Sequence, residues 1–411
     1  MNFEFFISKR ICKALFNENN VSTRIIKIAI TAIAIGIIII LISTSTGFGL
    51  QREIKKKLTT LSGDLKISYY DNNNSFISVK PLNLLQINKE KWYDSTKVEY
   101  FYTYVNKAVL FKNQEKFDGG ILKGLDSAFP KDNFKSYIID GRFLDISKNE
   151  SLEIIISSKT SKKLSLKVGD FANSFFYDFS KSKFPKKRLF QVVGIYDTGF
   201  GDFDENFSFT NIKVIQRING WNKHEVGGIE LILKAQFKTS GYKQTIYNSL
   251  PSNIDVQTVN ELYSGIFNWI SMFDFNILVI LVVVIFVAIL NITIAIIILI
   301  IEKSKLIGMM KIFGAPYKKI QKIFFLVTLN IIFRGLIIGN IVGLIMIFLQ
   351  YKFNLIKLDP INYFVKEVPV YISFPNIIFV NFIIIFFSII AFWIPMIIIS
   401  KMEIVKVLKV R

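Results

Sequence analysis

The sequence predicts an α-helical membrane protein with four transmembrane helices plus an α+β domain inserted between the first and second spans. Three observations predict it. Four apolar runs, Ile25–Phe48, Phe275–Ile301, Ile323–Leu349 and Ile377–Ser400, are each long enough to cross a bilayer, for which about 20 residues suffice. A polar stretch of about 220 residues lies between the first two, enough for an independent domain. The basic residues collect at one set of span ends.

The chain has 411 residues, 51% hydrophobic, with 51 Lys and Arg against 31 Asp and Glu and a net charge of +20. Nucleic acid does not account for that charge, because no basic module interleaved with aromatics is present. The membrane does. Lys9, Arg10, Lys13, Arg24 and Lys27 precede or enter the first span. Lys303, Lys305, Lys311, Lys318, Lys319 and Lys322 fill the loop after the second. Lys401, Lys406, Lys409 and Arg411 follow the fourth. The positive-inside rule then places both termini and the 302–322 loop in the cytoplasm and the large domain outside. Basic residues ahead of Ile28–Ile42 also resemble a signal peptide. The long basic region and the lack of a small-x-small site argue against cleavage.

The boundaries follow. A cytoplasmic segment at 1–24 leads to spans at 25–48, 275–301, 323–349 and 377–400. The outward domain with flanking stalk helices takes 49–274. The cytoplasmic helix and loop take 302–322, a short outward loop 350–376 and a cytoplasmic tail 401–411. Short β runs (LKISYY, EIIIS, LFQVVGIY, GIELIL) mixed with helical segments make the domain α+β.

The sequence gives no sign of catalysis. The one histidine, His224, has no second histidine or cysteine to complete a zinc site, since Cys12 is the lone cysteine and falls on the cytoplasmic side. No phosphate-binding G-x-x-x-x-G-K-[ST] loop and no G-x-S-x-G elbow occurs, and GGILKGLD reads as strand and turn. No metal, cofactor or catalytic residue is predicted.

Beyond Phe48, Leu50, Ile54, Leu58 and Leu61 recur at helical spacing. Val259, Leu262, Ile266, Ile270 and Phe273 form a matching stripe before the second span. Two spans continued as helices form a stalk, or else two separate interfacial helices. Gly335, Gly339 and Gly343 lie on one face of the third span and allow close helix packing. Arg334, near the middle of that span, is expensive in lipid and is expected to pair with Asn330 or Asn291 or to serve a pathway. Trp393 suits the interfacial belt, and Pro395 is expected to bend the exit of the fourth span.

EKSKLIGMMKIFGAPYKKI, Glu302–Ile320, is basic and broken by Gly314 and Pro316. Leu306, Met310 and Phe313 fall on one apolar face, and Ser304, Gly308, Lys311 and Ala315 on another. Gly314 suits a C-cap and Pro316 the first turn of the next helix. This predicts a separate helix of about three turns. It either docks on a cytoplasmic partner or rests on the inner leaflet.

This segment, with the glycine-rich span after it, resembles the permease subunits of the bacterial FtsX/MacB-like ABC transporter superfamily. Lys305 stands where the family has an acid. LDPINYFVKEVPVYISF resembles the last outward loop of the lipoprotein-releasing (Lol) permeases. SSKTSKKLSLKVGD resembles their strand–helix segment, with Ser157 and Ser158 where a glycine is usual. FQVVGIYDTGFGDFDENFSF and KMEIVKVLK resemble two further motifs, the second with Ile404 in place of proline.

The resemblance implies an inner-membrane permease with a periplasmic domain and no enzyme activity of its own. It implies four partners: a cytoplasmic ABC ATPase, a second permease copy or paralogue, acylated lipoproteins and a soluble periplasmic carrier. It also implies that Glu302, Lys303, Leu306, Gly308, Met310, Lys311, Phe313 and Gly314 form the ATPase-coupling helix. A carrier-recruiting hairpin falls at Asn173–Arg188, where Phe175, Phe176 and Phe184, with Pro185, look exposed; a plain loop is the other reading. The acyl chains need an apolar cavity, for which Ile42, Thr46, Phe48, Phe267, Ile270 and Phe273 near the outer span ends are the candidates. Two other functions fit parts of the pattern: a MacB-like export permease for small molecules or peptides, and an FtsX-like regulator of a cell-wall hydrolase, whose outer domain is much smaller.

Overall fold

The computed structural model describes residues 3–17, 21–70, 76–87, 89–147, 151–177, 184–234 and 239–400. The predicted tail at 401–411 and the hairpin tip at 178–183 lie outside them. The chain divides into two compact units. One comprises residues 1–51, 269–357 and 367–411; the other comprises 52–268 and 358–366. The tip of the last loop thus groups with the α+β domain, a division that no hydropathy run announces.

Helix α1 (Phe3–Asn17) is followed by α2 (Val21–Ser62), an unbroken helix of 42 residues. In lipid the backbone must satisfy itself, so even an isoleucine-rich run is helical. The Ser-Thr-Ser-Thr run does not interrupt it. Thr44 and Thr46 donate to the carbonyls of Ile40 and Ile42 at 2.7 and 2.8 Å. Past the apolar run Leu50, Ile54, Leu58 and Leu61 are all buried. Gly63, at φ +69°, ends the helix and donates its N–H to Thr59.

The domain then builds one mixed sheet from β1 (Leu65–Tyr69), β3 (Val98–Asn113), β4 (Lys116–Leu125), β5 (Ile138–Gly141), β6 (Glu153–Ser157), β7 (Phe171–Phe176), β8 (Lys186–Tyr196), β9 (Phe207–Asn211), β11 (Gly228–Leu233) and β12 (Ile254–Thr258), with β2 (Leu82–Asn83) and β10 (Glu225–Val226) paired aside. The order is β12-β1-β11-β3-β4-β9-β6-β8-β5, and β7 pairs with β3 and β8. β4 with β9 and β6 with β8 are parallel; the other pairs are antiparallel. The helices α3 (Lys89–Trp92), α4 (Lys131–Lys135), α5 (Ser158–Leu164), α6 (Gly201–Asn206), α7 (Ile212–Asn219) and α8 (Thr239–Tyr247) connect the strands. Ser157 caps α5, its Oγ accepting from the N–H of Thr160. Val105, Phe111, Leu122, Ile156, Phe190 and Leu231 lie at the centre of the core. The four β runs read from the sequence fall on β1, β6, β8 and β11.

The chain leaves the sheet through α9 (Val259–Leu262) and α10 (Ser264–Glu302). α9 opens with a capping box in which Thr258 and Glu261 satisfy each other's backbone N–H. α11 (Ser304–Ile312), α12 (Tyr317–Phe353), α13 (Pro360–Tyr363) and α14 (Phe374–Ser400, running through Pro395) complete the fold. Among the described residues four helices, α2, α10, α12 and α14, are long and apolar enough to cross a membrane. The helical unit has its own core, including Ile33, Ile37, Ile296, Phe324, Ile331 and Ile384.

On α12 the exposed large apolar residues run from Phe333 to Phe353. The Arg334 Nε donates to Asn330 at 2.9 Å, while Asn291 bonds the carbonyl of Val287 instead.

Candidate functional site

The 302–314 segment forms a helix of nine residues, α11, shorter than the three turns expected. Gly314, at φ +79°, follows it, and Pro316 caps α12. Ile307 and Gly308 are buried, and Leu306 and Met310 pack on the helical core. The apolar face predicted from Leu306, Met310 and Phe313 is therefore split. What α11 leaves exposed is Lys305, Met309, Ile312 and Phe313, at i, i+4, i+7 and i+8, with Phe313 87% exposed. The bundle takes one side of the helix, and the opposite side keeps its apolar residues in the open. Lys303 pairs with its neighbour Glu302 at 2.8 Å.

The three glycines of α12 face α2. A Cβ on Gly335 would lie 2.8 Å from the Ile33 side chain. One on Gly339 would lie 2.8 Å from the Ala34 carbonyl oxygen, and one on Gly343 would lie 3.1 Å from Leu41. Gly36 and Gly47 meet α10 in the same way, at Val284 and Ile277, and were not singled out in the sequence. α12 and α14 are clasped by Asn340 and Asn381, whose amides exchange hydrogen bonds at 2.7 and 3.0 Å.

Ile42, Thr46, Phe48, Ile270 and Phe273 lie in the helical unit and Phe267 in the other. Of the six, Phe48 lines a cavity of about 20 Å³ shared with Thr44 of α2, Leu344 of α12, Tyr371 of the loop before α14, and Ile377 of α14. That space is far smaller than an acyl chain. Gln51 binds the Asp274 carboxylate at 2.8 Å and the Ile270 carbonyl, so α2 and α10 are joined there by polar groups.

The predicted hairpin is the β7–β8 pair, with Phe171 opposite Gln191 and Phe176 opposite Lys186. Strand alternation divides its aromatics. Phe176 is only 1% exposed and packs against Phe190, which corrects its reading as an exposed aromatic. Phe175 is half-buried with Lys187 over its ring, and Phe184 is 80% exposed beside an exposed Pro185.

The D-T-G-F turn after β8 and the L-D-P loop, two motifs far apart in sequence, meet around Lys57 of α2. The Lys57 ammonium donates to the carbonyls of Thr198 and Phe364. Asp197 accepts from the N–H of Gly199 and pairs with Lys366 at 3.2 Å. Thr198 donates to Asp204 at 2.7 Å, and the rings of Phe200 and Phe364 lie 4.7 Å apart. Phe364 holds a left-handed φ of +60°. Burial pushes the Asp204 carboxyl up to about 6. Burial also lowers the Lys57 ammonium, against the pull of Glu53. The base of the same loop is pinned separately by Gln350, which bonds Ile356 and Val368. Among the described residues no group of three or more His, Cys, Asp or Glu could hold a metal ion.

Residues 28–262 match the MacB-like periplasmic core domain, and residues 278–404 match the FtsX-like permease C-terminal family. The chain is 25% identical to the lipoprotein-releasing system transmembrane protein LolC of Buchnera aphidicola subsp. Schizaphis graminum over 302 residues, covering 72% of this chain and 73% of that one. An uncharacterized membrane protein of the same organism is 29% identical over 287 residues, covering 65% of this chain and 67% of that one. The solved periplasmic region of MacB from Actinobacillus actinomycetemcomitans is 10% identical with a TM-score of 0.35, covering 50% of this chain and 92% of that one. The first match alone exceeds half of the chain, which therefore belongs to the FtsX/MacB-like permease superfamily.

Proposed function

We propose that this chain is the transmembrane permease subunit of an ABC transporter that extracts lipoproteins from the inner membrane and passes them to a periplasmic carrier. The observation that carries the reading is the similarity to LolC, which runs over most of both chains. ATP is hydrolysed on a separate cytoplasmic ATPase. The exposed Lys305–Phe313 face of α11, an apolar surface with a basic edge, is the part of this chain suited to receive it. Both termini are cytoplasmic, and the α+β domain is periplasmic between the first two spans. A second permease copy or paralogue completes the membrane path. The β7–β8 hairpin, through Phe175, Phe184 and Pro185, is the candidate contact for the carrier. The outer-end residues Ile42, Thr46, Phe48, Ile270 and Phe273 would need the spans to part before they could hold an acyl chain. A second reading, a MacB-like export permease, is favoured by the match of residues 28–262.

The test is a release assay. The chain is reconstituted with an ABC ATPase and an acylated lipoprotein in liposomes, and soluble carrier is added. Lipoprotein should appear on the carrier only when ATP is supplied. ATP hydrolysis without transfer would sink the lipoprotein reading and leave the export permease.

A further inference from the structure

The open side of α1 is used by none of the roles above. Ser8, Ile11 and Cys12 are buried where this helix packs along α12, and the last two belong to the core of the helical unit. The opposite side is uncovered. Phe3 and Phe5 are each 55% exposed and Phe6 43%, with Lys9, Arg10 and Lys13 exposed in the turns that follow. Phe5 precedes Lys9, and Phe6 precedes Arg10, by four residues. Each ring therefore lies one turn from a cation on the same face. Three open phenylalanines within the first turn make an apolar patch of the kind that marks a contact surface.

The charge on that face has one sign. Glu4, the one acid of α1, is half-buried and falls with Ser8 and Ile11 at i, i+4 and i+7, on the packed side. Among the described residues no carboxylate pairs with Lys9, Arg10 or Lys13.

The level of α1 is set within the helical unit itself. Three residues separate the end of α1 at Asn17 from the start of α2 at Val21. The open stripe of α2 reads Arg24, Ile28, Thr31, Ile35 and Ile39, with Lys27 beside Ile28, so cations give way there to isoleucine. Packing agrees with the chain link. Cys12 lies close enough to Arg334 of α12 to feel its charge, and the next residue of α12, Gly335, rests on Ile33 of α2. Both ties put α1 beside the stretch of α2 in which charge ends and open apolar surface begins.

We propose that the open face of α1 binds anionic phospholipid in the leaflet at that end of α2. The rings of Phe3, Phe5 and Phe6 enter the boundary of the acyl chains, and Lys9, Arg10 and Lys13 reach the headgroup phosphates. Aromatic and basic residues together make an interfacial helix, and long basic stems carry their charges out to the headgroups while the rings stay in the apolar layer. The proposal rests on α2 being a membrane span and not on which cargo the permease moves.

The test uses the full chain in nanodiscs of phosphatidylcholine, with and without phosphatidylglycerol. An apolar fluorophore is attached at position 6 (F6C in a C12A background). Quenching by phosphatidylcholine that carries a nitroxide on its acyl chain gives the ratio of inserted to free label. That ratio should be higher with phosphatidylglycerol present. K9Q/K13Q should lower it by about twentyfold, at roughly fivefold per basic residue near an anionic surface. Salt at about 0.5 M should lower it as well. K9R/K13R should keep it. K162Q/K167Q, which removes equal charge from the α+β unit, should leave it unchanged. Circular dichroism melts check that each variant is folded. Equal quenching with and without phosphatidylglycerol would overturn the proposal. So would a label that no lipid quenches, which would leave the face to a protein partner.

Discussion

Lys57 donates its ammonium to the main-chain carbonyl of Phe364 at 3.1 Å, and to that of Thr198 at 2.7 Å, across 307 and 141 residues of sequence. One stalk side chain therefore holds the D-T-G-F turn and the L-D-P loop together. K57M keeps the bulk and removes the donor from the buried Thr198 carbonyl, at about 1–3 kcal/mol. If the stalk drives release, K57M should reduce ATP-dependent transfer more than tenfold and leave ATP hydrolysis within about twofold. Equal loss of both activities would show that Lys57 only stabilises the domain.

Asp204 lies beside this junction with its carboxyl raised from 3.8 to about 6 by burial. A raised acid favours the protonated fold. Its contribution is full below about pH 4 and is lost as pH rises through about 6. A shift of some two units corresponds to roughly 3 kcal/mol. D204N imitates the protonated state. Its stability advantage over the parent should be near zero at pH 4 and should grow to about 3 kcal/mol by pH 7, read from thermal melts across that range. A pH-independent difference would mean that Asp204 does not titrate there.

The α2–α12 contact predicts a contrast between two glycines. A Cβ on Gly339 would sit 2.8 Å from the Ala34 carbonyl oxygen, whereas one on Gly265 meets nothing within 4 Å. G339A should destabilise the helical unit by about 1–3 kcal/mol through overpacking. G265A should be neutral or stabilise α10 by up to about 1 kcal/mol, the helix propensity gained. Melting temperatures of the two variants, measured in one detergent, decide it.

On α11 the exposed apolar residues are Met309, Ile312 and Phe313. I312E/F313E should abolish association with the ATPase, seen as loss of co-purification, and leave the melt of the chain unchanged. L306E, on the packed side, should instead lower the melting temperature. The reverse pattern would place the partner on the other face.

Much of the architecture was legible because it depends on spacing within one segment. The Leu50–Ile54–Leu58–Leu61 stripe and the Gly335–Gly339–Gly343 row each repeat at helical intervals, and both are buried against neighbours. Phe176 was misread because strand register, not composition, decides which of two adjacent phenylalanines turns inward. The face of α11 was misread because an apolar residue beside a bundle and one beside a partner look alike in sequence. Lys57 with Phe364, Asn340 with Asn381, and Gln350 with the loop base left no signal at all. Each joins separate segments, and a lone lysine or amide gives no sign of its partner.

The last such pair lies deepest. Lys123 of β4 and Glu230 of β11 are both about 3% exposed, and the ammonium binds both carboxylate oxygens at 2.8 and 2.7 Å. Its third hydrogen bond goes to the carbonyl of Leu61 at 3.0 Å, so the cation also sits at the C-terminal turn of α2, where the helix dipole favours it. Burial lowers the Lys123 ammonium, and Glu230 opposes that. Removing one partner strands the other charge: K123M or E230M alone should cost about 3–5 kcal/mol. Replacing both by apolar residues removes the stranded charge, so K123M/E230M should recover most of that loss. The Leu61 carbonyl is then left without its donor. A double variant as unstable as the singles would mean that the cation at the end of α2, and not the pair, holds stalk and sheet together. Thermal melts of the four proteins close the cycle.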